Sequence, residues 1–277
     1  RYVAYYHNQE SFKFLMDPLL ENGLEKVSAM GYGKAINALT DSEGGTAKYF
    51  SQRFAQVTNP PLDSIRESDG MTLRVALGSK VNMKTSDAPQ IILDSPILEL
   101  NQLEKIKYQK RTPVKSFDFL YKPKKDSLKN QQSIISKIEL ITNQINQFAA
   151  KTGGVVILSD RRVNSKEAAL PMTLIVSAVN QKLIEVGHRF KVSIIVESGQ
   201  ISSPHHVACA LGFGGSAVYS ICSEMRCQEK FSNQKDFALK NFKKASEKSL
   251  MKIMGKVGLC TVESDSGGEF FEPNFLN

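Results

Sequence analysis

The residues best suited to chemistry lie in the second half of the chain. His205-His206 is a pair of imidazoles, the side chain that binds metals or moves protons near neutral pH. Adjacent residues at a helix start point in different directions, and no third ligand is close in sequence. The pair therefore reads as capping or structural. Gly212-Phe213-Gly214-Gly215 has the composition of a phosphate cradle. It follows a helix and precedes a strand, whereas a phosphate loop leads into a helix, so a tight connection is expected. Ser159, Asp160 and Arg161, together with Ser198 and Gly199, offer hydroxyls, a guanidinium and backbone amides to an anion. Asp160 and Arg161 could equally form an ion pair that closes the rim of a sheet. Of Cys209, Cys222, Cys227 and Cys260, only Cys222 and Cys227 are close, and no histidine flanks them. Free thiols in a reduced compartment are expected, with no metal site. Ala29-Met30-Gly31-Tyr32-Gly33 places two glycines between helices, either as a plain turn or as a loop reaching toward a ligand or neighbour. No carboxylate pair, nucleophile elbow or Walker loop is evident.

These residues need elements to position them. From residue 153 the pattern is regular: strands at Gly154–Ser159, Lys191–Glu197, Ser216–Ile221 and Val257–Glu263, with helices at Ala168–Val186, His205–Leu211 and about Gln234–Met254, the last stopped by Gly255. Apolar strands alternating with helices predict a parallel sheet buried on both faces, either open or part of a barrel. In such folds ligands sit at the carboxyl ends of the strands. Those ends carry Ser159-Asp160-Arg161, Glu197-Ser198-Gly199, Ser220-Ile221-Cys222 and Ser264-Asp265-Ser266-Gly267. The first half reads as mostly helical. Ser11–Leu20 places Phe12, Leu15, Met16 and Leu19 on one helix face, ended by Asn22-Gly23, and Thr46–Gln56 reads as a further helix before Asn59-Pro60-Pro61. Met71–Leu77, Pro89–Leu93 and Phe117–Leu120 are candidate strands, with helices after Pro96 and over Ser127–Lys151.

The bulk properties are those of an ordinary globular protein. The chain has 277 residues, 41% hydrophobic and 23% charged, enough for one large α/β domain or two small ones. No apolar run approaches the roughly 20 residues that span a bilayer, and no signal segment opens the chain, so a cytoplasmic protein with no membrane partner is expected. The net charge of +8 is concentrated between Lys105 and Lys129. That stretch lacks interleaved arginine and aromatic residues, so it reads as solvated lysines in a mobile connection and not as a nucleic-acid surface. The chain begins at Arg1 and ends on Phe275-Leu276-Asn277, and both ends read as cut from a longer polypeptide.

The run from Tyr49 to Glu67, Tyr-Phe-Ser-Gln-Arg-Phe-Ala-Gln-Val-Thr-Asn-Pro-Pro-Leu-Asp-Ser-Ile-Arg-Glu, resembles the YFxQxFAQVTNPPIDxIRE signature of the glutamate synthase large subunit nearly residue for residue. Further segments agree in order. Ser95-Pro96-Ile97-Leu98 matches the family's SPIL, and Ile157-Leu158-Ser159-Asp160-Arg161 its ILSDR. Glu197-Ser198-Gly199-Gln200 followed by His205-His206 resembles its E-[ST]-G-E…HH run, and Leu211-Gly212-Phe213-Gly214 its LGYGA. Lys252 to Thr261 is similar to KxMSKMGIST. The resemblance spans essentially the whole chain and points to the family's central domain.

The resemblance implies an α/β fold: a predominantly parallel sheet of βα units flanked by helices, like an incomplete or degraded TIM-type barrel. It implies a central linking domain over residues 1–255 and the truncated start of an FMN-binding synthase domain over 256–277. The implied role is a non-catalytic scaffold between a glutaminase domain and an FMN and 3Fe-4S synthase domain of the same chain, with a small NAD(P)H-oxidising subunit as a further candidate partner. The full enzyme makes glutamate from glutamine and 2-oxoglutarate. The alternatives are an anion- or phosphate-binding module and a standalone regulatory protein derived from the same domain. No catalytic residue or resident cofactor is expected in this fragment. The family's GSMGDD loop aligns with Ser28 to Gly33, so Met30 and Gly31 are candidates for approach to the synthase site. Ser264 and Gly267 are candidates through the family's SYxGAQIFEA, whose Tyr and Gln are replaced here.

Overall fold

A computed structural model describes residues 2–25, 45–53, 69–80, 89–268 and 270–273. The described strands are β1 Phe50–Gln52, β2 Val75–Leu77, β3 Ile91–Leu93, β4 Val114–Asp118, β5 Leu120–Tyr121, β6 Gly154–Ser159, β7 Ala168–Ala169, β8 Val192–Ser198, β9 Ala217–Ser220 and β10 Phe271–Pro273. The helices are α1 Gln9–Ser11, α2 Asp17–Asn22, α3 Leu100–Tyr108, α4 Ser127–Lys151, α5 Met172–Glu185, α6 Pro204–Gly212, α7 Ile221–Lys230 and α8 Lys235–Val257.

The centre is an open, four-stranded parallel sheet in the order β4-β6-β8-β9. Strands β6, β8 and β9 are buried along their whole lengths, as expected of a parallel sheet covered on both faces. Helices α4, α5 and α6 make the crossovers. The strand order runs in one direction, so crossovers of one hand return to one face. This is the winding of a barrel segment, although no barrel closes among the described strands. Beyond β9 the edge is extended by a bridge between Ile97 and Val218. Leu98 N donates to Val218 O at 2.9 Å, and Val218 N donates to Pro96 O at 2.7 Å. The Ser95-Pro96-Ile97-Leu98 motif thus lies against the edge strand. Register puts Asp118 beside Ser159, Ser159 beside Glu197 and Ser198 beside Ser220. All four strand ends therefore open at one rim.

Several expectations are corrected. The fourth parallel strand is β4, not Val257–Glu263. Helix α8 runs through Gly255 to Val257 and stops at Gly258, whose φ of 81° is the left-handed cap glycine favours. Val262–Ser264 then forms a 3-10 turn, and only Thr261 bridges a strand-like partner, Thr72. Ala168–Ala169 is a short strand paired with β5, and the helix behind it starts at Met172, after Pro171. Thr46–Gln56 is not helical over its described part. A 3-10 turn at Thr46–Tyr49 leads into β1, which pairs antiparallel with β10. Helix α7 was not foreseen. Its buried face is Ile221, Cys222, Ser223, Glu224 and Cys227, where thiols stand in for aliphatic groups.

The N-terminal helix docks on α7 and α8. Gln9–Ser11 and Asp17–Asn22 are α-helical, and Phe12–Met16 between them is π-helical. The wider turn rotates Leu15 to 36% exposure while Phe12, Met16, Leu19 and Leu20 are buried. These four pack with Cys222, Cys227, Ala238 and Phe242 in a second apolar cluster. Asp17 fixes the contact: it accepts from Arg226 Nε and Nη2 and from Lys230 Nζ, each at 2.8 Å. Burial would raise its pKa, but these two cations hold it below the usual carboxylate range. The Arg226 guanidinium also lies 4.8 Å from the Phe12 ring centre. Asp17→Ala is expected to cost about 2 kcal/mol in urea denaturation, because the largely buried Asp17 carboxylate gives the half-buried Arg226 guanidinium its bidentate acceptor. A loss below about 1 kcal/mol, the value for an exposed pair, would contradict the role given to Asp17.

Candidate functional site

The strand-end rim carries two polar assemblies, and adjacent residues of β6 and its exit feed them in opposite directions. Asp160 follows β6 directly and is fully buried. Its Oδ1 accepts from Gly199 N at 2.8 Å, and its Oδ2 accepts from Ser198 Oγ at 2.6 Å and from Gln200 Nε2 at 3.2 Å. Burial pushes its pKa up to about 6, against the pull of these three hydrogen bonds. Gln200 ties the assembly to the next crossover: its Oε1 accepts from Met172 N at 3.0 Å, and its Nε2 donates to Leu170 O at 2.9 Å.

Arg161 turns the other way. Its Nε donates to Glu197 Oε1 at 2.7 Å and its Nη2 to Glu224 Oε2 at 3.2 Å. Tyr219 OH donates to the same Glu224 oxygen at 2.8 Å, and Lys107 Nζ reaches both Glu197 oxygens, at 3.1 and 3.2 Å. Burial disfavours the Arg161 charge, but the Glu197 hydrogen bond and the two carboxylates hold its pKa above the ordinary value. Glu197 likewise is held low by Arg161 and Lys107 in spite of burial. Asp160 and Arg161 are therefore not partners of each other. Ser159 Oγ accepts from Arg161 N at 3.2 Å. The Ser198 hydroxyl and Gly199 amide, candidate anion donors by sequence, are both engaged by the carboxylate of Asp160.

The N-terminal segment covers this rim. Gly199 has no side chain, and the Tyr5 ring occupies the space: a Cβ there would lie 2.4 Å from the ring. Tyr5 OH donates to Asp160 O at 3.2 Å, and His7 Nε2 lies 2.7 Å from Gly199 O, which requires the Nε2–H tautomer. Burial lowers the His7 pKa, which favours that neutral ring. Both side chains point inward because Tyr6 between them has a φ of 65°, a left-handed conformation that non-glycine residues rarely adopt. The free space left between Tyr5, His7, Ala47, Met172, Gln200 and His206 is about 10 Å³, about the room of one water. An isoalloxazine, which needs a cleft of several hundred Å³, does not fit at the ends of β6 and β8; a separate cavity of about 410 Å³ lies beside the end of β9, lined by Ile97, Leu98, Tyr219, Ser220 and Ser223. Among the described residues, no group of three His, Cys, Asp or Glu is placed to hold a metal ion.

The remaining candidates are placed as follows. His206 Nδ1 lies 2.9 Å from Ser203 Oγ, and Ser203 is the N-cap of α6. His205 points elsewhere: its Nε2 lies 2.9 Å from Ala47 O, and its buried Nδ1 has no hydrogen-bond partner. Gly212 to Gly215 form a tight connection between α6 and β9, with Gly214 at φ 120° and Gly215 N donating to Ala210 O at 2.8 Å. Cys209, Cys222 and Cys227 are buried free thiols and Cys260 is exposed. Ser264 ends a 3-10 turn with its Oγ 2.7 Å from Thr261 Oγ1, and Gly267 has a φ of 76° and packs beside Asn180. Neither comes to the strand-end rim. Met30 and Gly31 lie outside the described residues. Sequence reasoning missed Tyr5 and His7, which meet β8 across more than 190 residues of chain and carry no local signal. Asp265, expected at the carboxyl end of a strand, instead follows a 3-10 turn and is buried at 2% exposure with an unpartnered Oδ2.

Comparison with known proteins gives one family. Residues 1–276 match the family model described as the glutamate synthase central domain. Over 98% of this chain, a ferredoxin-dependent glutamate synthase of Cyanidium caldarium is 33% identical, the large chain of the NADPH glutamate synthase of Bacillus subtilis 29%, and the NADH glutamate synthase of Schizosaccharomyces pombe 30%. The chain spans only 19%, 18% and 13% of those relatives' lengths. Among solved structures, a flavocytochrome b2 variant with bound sulfite superposes on 63% of this chain and 39% of its own at a TM-score of 0.39 and 14% identity.

Proposed function

We propose, because this chain belongs to the family of glutamate synthase central domains, that it is a non-catalytic scaffold between the glutaminase and synthase domains of a longer glutamate synthase. The carrying observation is the filled rim. The carboxyl ends of a parallel sheet are where α/β enzymes place substrates. At the ends of β6 and β8, Tyr5 and His7 occupy that position, Asp160 engages the donors, and about 10 Å³ remains. Strand ends closed by their own chain in this way give rigidity and leave no room for a reaction between β6 and β8. FMN and an iron–sulfur cluster then belong to other parts of the full enzyme, as does the glutaminase nucleophile.

The relatives support a role indifferent to electron source. Their names assign ferredoxin, NADPH and NADH to chains that match this one about equally, at 29–33% identity. A domain shared so evenly is not the part that selects the donor. No helix among the described residues is long and apolar enough to cross a membrane, and three buried free thiols suit a reducing compartment such as the cytoplasm. Assays of the 277-residue chain with glutamine, and with glutamine plus 2-oxoglutarate and a reductant, are expected to give no ammonia and no glutamate above the enzyme-free rate. Turnover that survives purification and is lost on unfolding would overturn the proposal.

A further inference from the structure

At the opposite end of the sheet, beneath the amino ends of β8 and β9, lies a cavity of about 540 Å³ that the scaffold role leaves unused. Its apolar wall is Val75, Ile184, Phe190 and Val262. Ile184 and Phe190 at the mouth are 52% and 75% exposed. Arg189 lies inside. Its Nε donates to Asn180 Oδ1 at 2.6 Å, its Nη1 to Val192 O at 2.8 Å and its Nη2 to Gly214 O at 2.9 Å, with Ser266 Oγ at 3.5 Å from Nη2. Every one of these acceptors is neutral. Among the described residues no carboxylate is within ion-pair distance of Arg189, whereas Arg161, Arg162 and Arg226 each have one. Burial without a counter-charge lowers the Arg189 pKa. Glu263 lines the same cavity but is engaged by Lys80 Nζ at 2.7 Å and by Ala76 N at 2.9 Å.

A guanidinium fixed by three neutral acceptors keeps its charge and its geometry, and lacks only an anion. The volume lies in the range of small-molecule sites, whose usual lining is mostly apolar with a few placed polar groups; Lys80 and Glu263 on the wall pair with each other, which leaves the charge of Arg189. We propose that this cavity binds a small organic acid, with its carboxylate directed to Arg189 and its apolar body against Ile184, Phe190 and Val262. Inorganic phosphate has the charge without the body, and a neutral amide has the body without the charge, so both should bind poorly.

The test is titration of the 277-residue chain with hexanoate, hexanamide and inorganic phosphate, followed by backbone amide chemical shifts. Hexanoate should give saturable shifts centred on Gly187, Gly215, Ser216 and Gly267, and the other two should bind at least about tenfold more weakly. Ile184→Asp places a negative charge at the solvent-exposed mouth, where folding tolerates it, and should weaken hexanoate by about tenfold or more. Arg189→Gln should abolish binding. If that variant fails to fold, Ile184→Asp still decides. Equal binding of hexanamide or phosphate, indifference to Ile184→Asp, or no saturable shift at these amides would overturn the proposal.

Discussion

Gly199→Ala is expected to destabilise the protein by about 2–3 kcal/mol, the upper part of the range for forcing atoms into a packed core. The added Cβ would lie 2.4 to 2.5 Å from three atoms of the Tyr5 ring. That ring is 1% exposed and cannot yield like the end of a flexible chain. Moving it breaks the Tyr5 hydroxyl bond to Asp160 O, and moving the backbone instead disturbs His7 against Gly199 O. Tyr5 and Gly199 should also be energetically coupled. Tyr5→Ala alone should cost about 3–4 kcal/mol, as for other buried aromatic truncations. In that background Gly199→Ala should cost little, because the clash is gone. A double-mutant cycle by urea denaturation reads the coupling, expected at about 2 kcal/mol. Additive losses would mean that Tyr5 is not what fills the strand ends.

Asp265→Asn is expected to reverse its effect on stability between pH 5 and 8. Burial pushes the Asp265 carboxyl up to about 7, while an unfolded aspartate titrates near 3.9. Between about pH 4 and 7 the folded state therefore keeps a proton that the unfolded state has lost, so stability falls as pH rises through this window. The full change from this group is on the order of 4 kcal/mol. Asparagine cannot ionise, so the variant should be more stable than the parent at pH 8 and equal or slightly weaker at pH 5. Asp160, pushed to about 6 by burial, acts with the same sign. His7 and His205, held below the usual histidine value by burial, oppose it at acid pH. All three are present in both proteins and cancel in the difference. A variant whose stability tracks the parent at every pH would refute the ionisation argument.

The sequence was most legible where local rules decide. Ser127–Lys151 and Gly154–Ser159 appear with the expected bounds, because a capped amphipathic helix and a wholly apolar strand carry their signals within themselves. Legibility failed where a distant partner decides. Phe50–Gln52 is a strand because Phe271–Pro273 pairs with it, more than 200 residues away. Val257–Glu263 has a strand's composition, yet α8 continues into it until Gly258 turns left-handed. The same division holds at the rim. The sequence places Ser159, Asp160, Ser198 and Gly199 at neighbouring strand ends. It cannot show that Asp160 takes up the donors of Ser198 and Gly199, or that Tyr5 and His7 seal them in.

The ends of β6 and β8 are closed by Tyr5 and His7, and the chain is expected to hold no cofactor there. Titration of FMN with the 277-residue chain, read by flavin fluorescence, tests it most directly. The account predicts no saturable change for the parent and none for Tyr5→Ala beyond weak binding to the opened space. Stoichiometric, saturable FMN binding by the parent chain, abolished by substitution at Asp160 or Ser198, would contradict it.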